Sequence, residues 1–115
     1  MKILHGIDLV YLPRFESLLD DPAFVQRVFS STEIKDDRVE HLAGLFAVKE
    51  AFFKATQVKI KQWREIEVLN DDRGKPYIGS FQRLPVGFEI QSMDVSISHD
   101  EEYVIGSVVL SVMQE

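Results

Sequence analysis

Arg38-Val39-Glu40-His41-Leu42-Ala43-Gly44-Leu45-Phe46-Ala47-Val48-Lys49-Glu50-Ala51-Phe52-Phe53-Lys54-Ala55 contains no proline and reads as the one long helix of this chain. Val39, Leu42, Ala43, Phe46 and Phe53 recur at the i, i+3, i+4, i+7 spacing of an apolar stripe. At about 100° per residue, Glu50 falls inside that stripe, near its centre line. A lone ionised carboxylate costs several kcal/mol to bury unless a partner or a metal compensates it. Lys54, one turn on, is in reach of Glu50. Two readings follow. A buried Glu50–Lys54 pair that only locks packing accounts for the pattern. Lys49 and Lys54 flanking one carboxylate also suit a site for a phosphorylated ligand and a divalent metal.

A second acid favours the metal. Asp8 stands within Ile3-Leu4-His5-Gly6-Ile7-Asp8-Leu9-Val10, which has the branched, nearly uncharged character of a buried strand. Asp8 on a strand and Glu50 on a helix make an oxygen-ligand pair of the kind Mg²⁺ takes, with waters and substrate phosphates completing its shell. Mn²⁺ suits the same hard ligands.

Around the helix the chain carries no repeats, linkers or low-complexity stretches. A strand is predicted over Lys2 to Asp8. Pro13 opens a short helix over Arg14 to Leu19, and Asp21-Pro22 opens another, ending at Phe29. Ser30-Ser31-Thr32-Glu33 offers a hydroxyl cap and an acid for a further short turn. The long helix spans Arg38 to Thr56. Strands are predicted at Glu65 to Leu69, Pro76 to Ile78, Val86 to Gln91, Asp94 to Ser98 and Tyr103 to Met113. The last is apolar enough to be central or to lie in a subunit interface. The pattern specifies an α+β fold, with helices on a mostly antiparallel sheet.

At 115 residues the expected organisation is one domain, residues 1–115. There is no cysteine, which excludes disulfides and thiolate metal sites. A net charge of −6 argues against general nucleic-acid binding. No export signal and no apolar run of membrane length is seen, so no membrane association and a cytoplasmic location are expected. The charge is unevenly spread: from Lys49 to Arg64, five basic residues (Lys49, Lys54, Lys59, Lys61, Arg64) meet a single acid, Glu50. A local field of that sign can serve an anionic ligand despite the overall charge.

Three blocks carry a resemblance to a known family: Gly6-Ile7-Asp8-Leu9-Val10, Phe46-Ala47-Val48-Lys49-Glu50-Ala51-Phe52-Phe53-Lys54-Ala55, and Val95-Ser96-Ile97-Ser98-His99-Asp100. Between them lie Ile66-Glu67-Val68-Leu69-Asn70-Asp71 and Gly74-Lys75-Pro76-Tyr77, which match that family's central hairpin. In order and spacing the chain resembles the holo-(acyl-carrier-protein) synthases, the small bacterial type of 4′-phosphopantetheinyl transferase. The resemblance implies transfer of the phosphopantetheine arm of coenzyme A to a serine of an apo acyl carrier protein, releasing adenosine 3′,5′-bisphosphate. It implies a metal site of Asp8 and Glu50 for Mg²⁺, with Lys54 stabilising or protonating the departing phosphate. Lys49 is implied as a further phosphate contact, and Glu50, or a water it orients, as the base. Pro76, Ser98 and His99 correspond to nucleotide-side residues, and Arg14 to a contact with acidic carrier side chains. A homotrimer with active sites between subunits is implied as well.

Departures from the family pattern are visible. Leu45 stands where a positive charge is usual, and Thr56-Gln57-Val58-Lys59-Ile60 replaces a glycine-containing loop. His5 before Gly6 is unusual, and Lys59 and Lys61 are candidates to restore the missing charge. The alternative they support is a divergent, catalytically impaired homologue that binds coenzyme A or a carrier protein without transfer.

Overall fold

Strand alternation builds one wall of the molecule. The computed structural model describes residues 1–79, 83–84 (backbone alone) and 87–114. In chain order it contains β1 (Lys2–Tyr11), α1 (Leu12–Leu18), α2 (Pro22–Val28), α3 (Val39–Thr56), β2 (Val68–Asn70), β3 (Pro76–Ile78), β4 (Arg83–Leu84), β5 (Phe88–Asp100) and β6 (Tyr103–Gln114). Short 3₁₀ turns occur at Glu33–Lys35 and Trp63–Glu65. The main sheet has the order β1-β6-β5-β4 and all its pairings are antiparallel, while β2 and β3 form a separate hairpin. The α+β expectation therefore holds, and β6 is central, hydrogen-bonded on both sides.

Three boundaries differ from the sequence reading. β1 continues past Asp8 to Tyr11, because its alternation pairs with β6 down to Tyr11↔Tyr103. The strand expected over Glu65 to Leu69 starts only at Val68, the 3₁₀ turn having taken residues 63–65. The two strands expected over Val86 to Gln91 and Asp94 to Ser98 are one, β5. A register shift between Ile90 and Ser92 absorbs the break in alternation as a bulge; Val86 lies outside the described residues.

The sheet presents Leu4, Gly6, Asp8 and Val10 of β1 towards α3, and Val104, Gly106, Val108, Leu110 and Val112 of β6 beside them. Two glycines set how close the helix lies. A Cβ on Gly6 would overlap the Ala51 carbonyl oxygen, and one on Gly106 would stand 2.6 Å from the Ala47 carbonyl carbon. On the other flank of α3, Phe15 of α1 packs on Phe46 (centroids 5.5 Å), on Phe24 of α2 (6.2 Å) and on Phe29 (6.4 Å).

With neighbours on both flanks, α3 is buried almost all round. Of the stripe expected to be its inward face, Leu42 and Ala43 are buried, while Val39, Phe46 and Phe53, with Glu50 among them, are only half-buried. The fully buried charge is Lys49. Its ammonium donates to the Val28 carbonyl (2.7 Å), Glu33 Oε1 (2.8 Å) and the Trp63 carbonyl (3.1 Å). Burial pulls the Lys49 pKa down against the opposing pull of Glu33. Glu33 accepts from the backbone N–H of Ser30 and Val68 as well, and Ser30 Oγ accepts from the Glu33 N–H, the reciprocal cap expected for that turn.

Candidate active site

Asp8 and Glu50 meet because β1 and α3 meet. Both line a cleft of about 230 Å³ together with Leu9, Val10, Tyr11, Arg14, Phe15, Leu18 and Phe46. Asp8 reaches it as an inward residue of β1, opposite Gly106. Glu50 reaches it from the half-open side of α3, where the absence of a side chain at Gly6 lets helix and strand close up.

Lys54 stands one turn beyond Glu50, as the sequence indicated, but Asp8 is the acid it bonds. Its ammonium donates to Asp8 Oδ1 at 2.9 Å and to the Ile7 carbonyl at 3.1 Å. The packing-lock reading of a Glu50–Lys54 pair is thereby corrected. Partial burial pushes the Glu50 pKa up, the Asp8 carboxylate adds to that, and Lys54 opposes it. Glu50 is thus an acid whose charge is only partly compensated, by Lys54.

Lys49 needs a second correction. Expected as a phosphate contact, it has no exposed surface and spends its three protons on Val28, Glu33 and Trp63. Adjacent positions on a helix diverge by about 100°, and here Lys49 turns to Glu33 while Glu50 faces the cleft. Glu33, its partner, was read only as a turn acid; the Ser30-x-x-Glu33 box was the available signal.

Arg14 is at the rim of the cleft, its guanidinium 5.7 Å from the centroid of the Tyr11 ring. Tyr11 and Leu18, not singled out in the sequence, complete this rim. Pro76, Ser98 and His99 do not line it. Ser98 lies across β6 from Leu9, through Ile105, and faces the side of the sheet away from α3. His99 follows it on β5. Pro76 opens β3, whose hairpin leans on β5 where Lys75 Nζ contacts the Val95 carbonyl (2.8 Å) and Asp94 (3.0 Å). One group of expected residues (Asp8, Glu50, Lys54, Arg14) is together, and a second (Pro76, Ser98, His99) belongs to the β3–β5 side.

The departures are now placed. Leu45 is a core residue, 2% exposed, and does not line the cleft. Gln57 takes φ = +56°, the left-handed conformation usual for glycine at a helix C-terminus, and its N–H bonds the Phe53 carbonyl. Lys59 and Lys61 line a separate small cleft with Val58, Ile60 and Glu65.

Among the described residues, no three His, Asp or Glu side chains gather into a metal cage. The donor set is two carboxylates facing one cleft, which fits an ion that keeps waters and shares phosphate oxygens, and does not fit a fully protein-enclosed metal.

A strand aspartate and a helix glutamate thus share one cleft, with a lysine bonded to the aspartate. A family model described as the 4′-phosphopantetheinyl transferase superfamily matches residues 5–108, and the chain belongs to that superfamily. It is 38% identical to a holo-(acyl-carrier-protein) synthase of Halalkalibacterium halodurans, over 96% of each chain. Among solved structures, it is similar to the Chronobacterium ammoniagenes ACPS–CoA complex, with TM-score 0.83, 29% identity, and 99% of this chain and 100% of that one covered. The Helicobacter pylori holo-(acyl-carrier-protein) synthase in complex with coenzyme A gives TM-score 0.78 and 33% identity, covering 94% of this chain and 100% of that one.

Proposed function

We propose that this protein transfers the 4′-phosphopantetheine arm of coenzyme A to a serine hydroxyl of an apo acyl carrier protein, releasing adenosine 3′,5′-bisphosphate. The observation that carries the reading is the convergence of Asp8 and Glu50 at one cleft, with Lys54 bonded to Asp8, in a chain of this superfamily. The relatives named above act on acyl carrier protein or were solved with coenzyme A.

Phosphoryl transfer asks a protein for positioning and charge neutralisation more than for a nucleophile. Asp8 and Glu50 are the residues that would hold Mg²⁺, which when bound supplies charge screening for the pyrophosphate. Lys54 neutralises or protonates the departing phosphate. Glu50, or a water it orients, is the base that takes the proton of the serine hydroxyl. Arg14, at the rim, faces acidic side chains of the carrier protein.

The cleft is smaller than the roughly 300–1,000 Å³ of a typical small-molecule site, so coenzyme A needs further surface. Pro76, Ser98 and His99 on the β3–β5 side supply it from a neighbouring copy. The open face of β1 and β6 exposes Ile3, Ile7, Leu9, Ile105, Val109 and Met113, an apolar surface suited to subunit contact. A homotrimer with active sites between subunits, cytoplasmic and serving fatty acid biosynthesis, completes the proposal. No helix among the described residues is long and apolar enough to cross a membrane.

Binding of coenzyme A or a carrier protein without transfer is the competing reading. Its two motives, Leu45 and Gln57, are a core residue and a backbone cap that keeps the left-handed conformation. Incubation with coenzyme A, Mg²⁺ and apo carrier proteins, followed by intact-mass measurement, separates the two. A phosphopantetheine mass gain on a carrier is expected. No gain on any carrier, with coenzyme still bound, establishes the competing reading instead. Light scattering tests the assembly, and a stable monomer would overturn it.

A further inference from the structure

We propose that Lys54 competes with the metal for Asp8, and that it thereby makes metal binding depend on coenzyme binding. This rests on the function proposed above and concerns the same site. In the protein alone, the Lys54 ammonium sits on Asp8 Oδ1 at 2.9 Å and is anchored by the Ile7 carbonyl at 3.1 Å. A divalent cation arriving at Asp8 must displace this ammonium or share the carboxylate with it. Both cost free energy, since like charges a few ångströms apart repel and the displaced ammonium loses its anion.

Lys54 is free to leave. Its side chain is 50% exposed, against 15% for Asp8, so the ammonium can swing into solvent while the carboxylate stays in the cleft. The Ile7 carbonyl it releases is a backbone acceptor that water can satisfy. When the coenzyme is present, its pyrophosphate offers Lys54 a new anion, and the penalty on the metal is removed. Metal and coenzyme therefore promote each other's binding, each by the same factor. The arrangement keeps the two-carboxylate site from filling tightly before there is a substrate to act on.

The measurement is Mn²⁺ binding to the purified protein, read by electron paramagnetic resonance of the free ion, with no carrier protein present. Lys54→Met is expected to bind Mn²⁺ alone about tenfold more tightly than the native protein, the effect of losing one nearby like charge at a partly exposed site. Lys54→Arg, which keeps the charge, is expected to stay within about twofold of native. Saturating coenzyme A should tighten Mn²⁺ binding by a larger factor in the native protein than in Lys54→Met. Equal Mn²⁺ affinity in native and Lys54→Met protein, or equal tightening by Met and Arg, overturns the competition while leaving the transfer reaction standing. Absence of Mn²⁺ binding in every variant, with or without coenzyme A, removes the metal from the proposed site and the competition with it.

Discussion

Two lysine–carboxylate pairs lie on opposite sides of α3, and they differ in almost everything except length. Lys49–Glu33 is 2.8 Å long with both side chains fully buried, and each partner is further satisfied by backbone groups. Lys54–Asp8 is 2.9 Å long, half-open to solvent on the lysine side, with the partly compensated Glu50 beside it. The first pair has no vacancy for a ligand. The second holds a lysine that can be exchanged for another cation or recruited by an anion. Enclosure, and not charge pairing as such, separates a structural ion pair from one available to chemistry.

The contrast can be broken experimentally, starting with its strongest side. Lys49→Met should destabilise the fold by about 3–5 kcal/mol, because Glu33 would be left buried without its counter-charge; denaturant unfolding measures this. Glu50→Gln should lower transfer more than about a hundredfold, as expected for loss of a ligand that positions the metal, with the circular dichroism spectrum unchanged. The same variant tests the electrostatics. A folded-state pKa above the unfolded value contributes stability that is fully present below the unfolded pKa and lost as pH rises through the folded one. Glu50→Gln should therefore flatten the decline of stability on going from pH 4 to pH 7, and an unchanged slope would show that Glu50 is not strained by its site.

Smaller effects follow. Gln57→Gly should stabilise by about 1 kcal/mol, relieving a left-handed backbone that carries a Cβ, and a rise in Tm with native activity is the expected outcome. Lys54→Met should change stability by less than about 1 kcal/mol, as is usual for partly exposed pairs. A loss comparable to that of Lys49→Met would erase the distinction between the two pairs.

Much of this site was legible in the sequence, and the failures share one cause. Asp8 in a strand, Glu50 and Lys54 a turn apart on a helix, and the Ser30–Glu33 cap all rest on local spacing, and local spacing survives folding. The burial of α3 is not local. Its apolar residues are numerous enough to cover most of its circumference, so a stripe drawn through Val39, Leu42, Ala43, Phe46 and Phe53 could not show which flank the sheet would cover. The stripe therefore makes Glu50 the innermost charge, when Lys49 is the one enclosed. The partner of Lys54 was equally out of reach, since Asp8 lies 46 residues away in the chain. Leu45, which stands where the family usually has a positive charge, occupies a core position that the sequence alone does not reveal.

The pairing of the first strand with the last has a consequence in time. β5 and β6 are joined by a turn at Glu101–Glu102, so they can zip together as soon as both exist. Among the described residues β1 pairs only with β6, across a chain separation that puts Asp8 opposite Gly106. During synthesis β1 is made first and must wait for nearly the whole chain before it has an edge to join. Pulse-labelled hydrogen exchange during refolding should accordingly protect the β5–β6 amides before those of β1. Simultaneous protection would contradict this order. Asp8 would then be among the last residues to reach its place, and a partly folded chain would lack the cleft that Asp8 shares with Glu50.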